Sequence, residues 1–344
     1  MLIVAAILVA IFAVPVSAAE IAPPEVPSHV LDIMPKEPET FSQGLWYIFQ
    51  QALPVIQPAV VEATRICLSL VAISVLTSLL STMPGSVNRV TEIAGTICAG
   101  ILILTPSNAL IRLGTDTVSE LSDYGKLLLP VMTAAMAAQG GVSTSAALYM
   151  GTAVFDAVLG QFISKLLVPL LYIFLCLTMA HSAMADGQLK KMRDFVKWLM
   201  VWGLKTVLYV FTGYMSITGV ISGSTDAAAV KAAKLTISGM VPVVGGILSD
   251  ASESVLVGAG VMKTAVGMYG ALALLAICAE PFLRIGIQYL VLKITGAVCE
   301  LFGSKQLTAL IQDFSGAMGI LLAMTGSMCL LLLISTVCFM KGVG

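Results

Sequence analysis

The sequence predicts an all-α polytopic membrane protein of roughly 8–10 transmembrane helices. Three observations carry that reading. Of 344 residues, 58% are hydrophobic and 11% charged, against about 25% charged in soluble domains. Mean hydropathy is +0.99, so a soluble fold would have no polar shell to offer water. Apolar stretches recur at about 20 residues, the length that crosses roughly 30 Å of hydrocarbon. A net charge of −1 gives no basic surface for nucleic acid, and the composition excludes an ordinary cytosolic enzyme.

Residues 1–18 carry no charge and end in Val16-Ser17-Ala18, which reads as a signal peptide or, lacking a basic start, an uncleaved signal anchor. Residues 19–64 read as an extracytoplasmic lead. They hold six acids against the single Lys36, and Pro23, Pro24, Pro27, Pro35 and Pro38 cluster early, a poorly structured composition. Trp46 and Tyr47 fit the headgroup layer.

Residues 65–344 form the polytopic membrane domain. Spans are read at 66–88, 93–111, 166–184, 206–225 and 314–340, the last the most lipid-like, with 143–162, 254–279 and 282–299 carrying internal or flanking charge. Two further stretches, 127–142 and 235–249, reach only about 22–24 Å as helices. Each lies near a proline, Pro130 or Pro242, and holds a Gly-Gly pair, Gly140-Gly141 or Gly245-Gly246. Lys190, Lys191, Arg193 and Lys197 place the 185–197 loop in the cytoplasm by the positive-inside rule. An odd number of crossings must then precede it, which favours counting 127–142 as a crossing.

A shift of 112 positions lays Pro130-Val131 on Pro242-Val243, Thr152-Ala153-Val154 on Thr264-Ala265-Val266 and Pro169 on Pro281. We read these as an internal two-fold repeat, about 115–185 and 225–299. Short Gly/Pro-broken segments at matching places in two halves point to a transport pathway; the competing reading is helix kinking and close helix contact. Pro130, Gly140, Gly141, Pro242 and Gly245 are therefore candidate pathway or subunit-contact residues.

Asp156, Lys165, Lys205, Lys263, Glu280, Arg284 and Lys293 interrupt apolar surroundings. A charge at the bilayer centre costs about 2.5–3.5 kcal/mol on the translocon insertion scale. Lys165, Arg284 and Lys293 can snorkel from near an interface. Lys263 follows Asp250 by about 20 Å of helix. Asp250, Lys263 and Glu280 complete the candidate set, as a polar path or as an interhelix or intersubunit salt bridge. The seven cysteines lie in or beside apolar runs without a C-x-x-C pair, and the two histidines are far apart, so neither a disulfide framework nor a metal site is expected. No P-loop, HExxH or G-x-S-x-G motif occurs. No enzymatic activity, cofactor or ATP-driven motor of the chain's own is expected.

The stretch from Met240 to Gly267, with Pro242-Val243, Gly245, Asp250-Ala251, Val255, Lys263 and Val266-Gly267, resembles the stage III sporulation protein AE family. Thr225-Asp226, Ala233-Lys234 and Leu128-Leu129-Pro130 followed by Gly140-Gly141 are similar too. The resemblance covers about residues 40–344, and the lead before the first span looks shorter than in the family. It implies a multi-pass protein of the mother-cell membrane surrounding the forespore. It also implies work in a secretion-like channel complex, with other stage III sporulation operon membrane proteins, a secretion-type ATPase and a forespore-side partner. A self-sufficient secondary transporter using Asp250, Lys263 and Glu280 is the alternative, and a scaffold lining no pathway is a third reading.

Overall fold

The computed structural model describes residue 24 and residues 26–35, 40–81, 87–138, 142–184, 187–217, 265–302 and 305–341. Apart from a 3-10 turn at Ser28–Val30, its regular elements are all helical. Helix α1, Phe41–Ser81, starts where Thr40 Oγ1 accepts the Gln43 backbone N–H at 3.3 Å, an N-cap bond. Residues 41–64, read above as part of the lead, are therefore helical. Val26, Val30, Ile33 and Met34 before them are buried, because apolar side chains among the prolines have a core to join.

Fewer, longer helices follow than the segment list suggested. The span 93–111 and residues 127–138 of the stretch 127–142 share one 52-residue helix, α2, Val87–Ala138, with Pro106 and Pro130 inside it. Helix α3, Val142–Phe162, runs through a π turn at Ile163–Leu167 into α4, Val168–Met184. Helix α5 covers Gly187–Ile217, so the basic run is helical rather than a loop. Residues 265–279 of the segment 254–279 share α6, Ala265–Glu300, with the segment 282–299, Pro281 lying inside; residues 254–264 lie outside the described residues, and α7 is Lys305–Lys341. Among the described residues, six helical bodies are long and apolar enough to cross a membrane, as an all-α polytopic membrane protein requires. Proline and scattered charge interrupt hydropathy, but neighbouring helices let the backbone ladder continue past them. Segment 235–249 and residues 218–225 lie outside the described residues.

Close contacts fix the helix directions. A Cβ on Gly114 would lie 2.8 Å from Leu321, and one on Gly125 2.9 Å from Leu332, so α2 and α7 run parallel in register. Ser122 meets Asp156 and Gly100 meets Met179, so the α3–α4 body runs antiparallel to α2. Gly203 meets Phe162, and the Tyr214 hydroxyl donates to the Ala147 carbonyl at 2.9 Å, turning α5 back again. Ser315 bonds the Tyr289 carbonyl, and Gly267 faces Met340, pairing α6 and α7 antiparallel. Gly44 faces Leu272, and the Ser78 hydroxyl donates to the Phe302 carbonyl at 2.8 Å, so α1 runs parallel to α6 and opposite to α2. The six bodies therefore alternate in direction.

At the centre stands α7, touched by α2, α3, α4, α5 and α6. Of its most apolar stretch 78% is buried, against 22% for α1. The segment read as most lipid-like is thus the most protein-buried, since a helix apolar all round fits a core as well as a bilayer. Several buried hydroxyls are satisfied within their own helices: Ser107, Thr117, Thr212, Ser335 and Thr336 each donate to the carbonyl four residues back, which lets them sit in apolar packing.

Candidate functional site

Charge in the middle of α2 is confined to one face. Arg112, Asp116, Glu120, Asp123 and Lys126 follow at intervals of 4, 4, 3 and 3, the helical spacing that keeps side chains on one side. Arg112, Asp116, Asp123 and Lys126 are exposed, while Ile111, Val118, Leu121 and Tyr124 point inward and are buried. Lys126 Nζ bonds Asp123 Oδ1 at 2.8 Å. The register of Gly114 with Leu321 and Gly125 with Leu332 sets this stripe level with the apolar middle of α7. Charges at that level need water, a partner subunit or one another.

Behind the stripe lies Asp156 on α3, 2% exposed. Its Oδ2 accepts the Ser122 hydroxyl at 2.8 Å, and its Oδ1 is buried without a hydrogen-bond partner. Gly125 brings α2 close enough that a Cβ there would lie 3.7 Å from that oxygen.

A second polar cluster joins α5 to α7. The Arg193 guanidinium bonds Asp194 Oδ1 at 2.8 Å and reaches across to Asp313. The Arg193 side chain is 9% exposed and that of Asp313 15%, so the interhelix pair is almost dry. The opposite face of α5 carries exposed Phe195, Trp198 and Trp202, their rings stacked at 6.0 and 5.8 Å. One face of α5 thus locks to the core and the other turns aromatic rings outward, a preference of headgroup layers. Trp46, also exposed, stacks with Phe49 at 5.9 Å.

Of the sequence-predicted residues, Pro130 and Glu280 fall among the described ones. Gly140, Gly141, Pro242, Gly245, Asp250 and Lys263 lie outside the described residues, as does the 225–264 part of the second repeat. Pro130 sits exposed within α2 without ending it. Glu280, considered above as a partner of Lys263, pairs at 2.8 Å with Arg284 one turn along α6, both side chains part-exposed. Asp156 was legible as a charge among apolar residues, but Ser122 and Asp313 were not singled out. Each lies far along the chain from its partner, and no local pattern joins such pairs.

The sequence model of a family described as stage III sporulation protein AE matches residues 32–342. The stage III sporulation protein AE of Bacillus subtilis (strain 168) is 22% identical over 219 residues, 63% of this chain and 55% of that protein. The chain thus matches about half the length of this curated relative. No solved structure matches it.

Proposed function

The chain belongs to the stage III sporulation protein AE family, and from that premise we propose that it is a membrane subunit of a secretion-like channel complex between mother cell and forespore. It would sit in the mother-cell membrane surrounding the forespore, beside other stage III sporulation membrane proteins. A secretion-type ATPase and a forespore-side partner would complete the assembly. The observation that supports this reading is the outward charged face of α2, set level with the apolar middle of α7. Lipid is a poor neighbour for such a face, and an adjoining subunit or a shared watery path is a good one. Lys190, Lys191 and Lys305 gather at the end of the bundle where α5 and α7 begin; by the positive-inside rule we assign that end to the cytoplasm. The reading is non-catalytic. Two of the three residues in the transporter alternative lie outside the described residues, and the third, Glu280, pairs within its own helix.

The test is site-specific photo-crosslinking in sporulating cells. A photoreactive side chain replaces Asp116 or Ser119 on the charged face, with outward-facing Leu68 of α1 as the lipid-facing control. Protein adducts at 116 and 119, containing other membrane subunits of the assembly, are expected. Lipid adducts at all three positions would overturn the proposal.

A further inference from the structure

We propose that Asp156 is a proton-binding site, a carboxylic acid kept neutral inside the bundle that exchanges its proton through Ser122 with the charged face of α2. The inference rests on geometry and does not depend on the sporulation reading. An ionised carboxylate is an acceptor with about four lone-pair sites. Here one hydroxyl is offered, at 2.8 Å to Oδ2, and Oδ1 is buried with no partner. An isolated carboxylate in such a place neutralises rather than stay charged.

Beyond the Ser122 hydroxyl, the favourable charge nearby is that of Lys126, which is exposed and already bonded to Asp123. Beside the carboxyl, Gly125 packs against Leu332 of α7, and one turn along α3 Gly160 faces Ser122 and Met328. The titratable groups nearest on α2 are Asp123 and Lys126, bonded to each other and exposed, with half-buried Glu120 two residues before Ser122. From α5, packed on α3, Tyr214 gives its hydroxyl proton to the Ala147 carbonyl. A hard divalent cation takes six or more oxygens. Among the described residues, no three His, Cys, Asp or Glu side chains converge on a common point. A proton is the cation that fits one carboxyl and one hydroxyl. Ser122 is half-buried and its hydroxyl both donates and accepts, which makes it the step between the buried acid and the outer face. Losing the proton would place a bare charge where α2, α3 and α7 touch, so this contact becomes the proton-sensitive one.

The full-length chain in lipid or detergent serves for the test. Infrared spectra of wild type and Asp156→Asn are compared for the carbonyl stretch of a protonated carboxylic acid, which is expected in the wild type and missing in the variant. Dicyclohexylcarbodiimide, which attacks protonated carboxyls in apolar surroundings, then maps the site. Modification is expected at Asp156 and not at exposed Asp116 or Asp123. It should fall about tenfold per pH unit above its midpoint, persist in Asp156→Glu and vanish in Asp156→Asn. Identical spectra for wild type and Asp156→Asn would overturn the proposal. So would modification that Na⁺ blocks at constant pH, which assigns the site to a metal cation instead.

Discussion

Arg193 joins two helices that lie 120 residues apart in the chain, through a guanidinium shared between Asp194 and Asp313. With the Arg193 and Asp313 side chains 9% and 15% exposed, losing Arg193 strands Asp313 in a dry place, while losing Asp313 leaves Arg193 its bond to Asp194. Arg193→Met should therefore lower stability by about 3–5 kcal/mol and Asp313→Asn by less, and exchanging the two charges should recover part of the loss. Thermal unfolding of the purified chain in detergent, arranged as a double-mutant cycle, measures this; additive single effects would show that the two side chains do not act as a pair. The sequence presented Arg193 only as one of a run of positive charges that set orientation. Asp313 stood unremarked at the edge of the most apolar span. A lone carboxylate there carries no mark of its partner, because the contact is made by packing α5 on α7.

At the scale of the element, α2 explains both what the sequence revealed and what it concealed. A sliding hydropathy average breaks the helix between 111 and 127, because it counts Arg112, Asp116, Glu120, Asp123 and Lys126 without regard to direction. Their spacing confines them to one face, and the inward face stays continuous through Ile111, Val118, Leu121 and Leu128. The same inward side uses glycine where α7 comes near. A Cβ at Gly114 would meet Leu321 at 2.8 Å and Thr325 at 3.3 Å, and both neighbours are fully buried. Gly114→Ala should cost about 1–3 kcal/mol by overpacking. Gly286→Ala on α6, with open space at its Cβ, should instead gain about 0.5–1 kcal/mol from backbone entropy. Detergent unfolding of the two variants side by side checks the pair of signs; equal effects would mean that α2 and α7 do not touch at Gly114.

For the whole molecule, alternating helix direction makes a topological prediction. Among the described residues three helical bodies, α1, α2 and α3–α4, precede α5, so the start of α5 lies on the opposite side from the start of α1. The five crossings counted from the sequence give the same parity as these three, because two fusions, one within α2 and one between α3 and α4, each remove one crossing. In a cysteine-free background, a single cysteine at Lys190 should resist a membrane-impermeant thiol reagent, while one at Trp46 should react. Labelling of both from outside would break the alternation. The all-helical, multi-pass character was legible from apolar content and span length. The arrangement was not: apolarity places α7 in the membrane but cannot tell a lipid-facing helix from one wrapped by protein, and its central position emerges from contacts with five other helices.

That central position has a consequence for how the protein is made. The helix that fills the middle of the bundle follows the other described helices in the chain, so the ribosome delivers the scaffold before its centre. At about 5–20 residues per second, Arg193 waits roughly 6–24 s for Asp313 to be synthesised. During that interval a cationic side chain and the inward faces of α2 and α3 stand without their final partner. The nascent bundle therefore depends for those seconds on the insertion machinery to shield it, and a ribosome stalled before α7 would leave a protein open to membrane proteases.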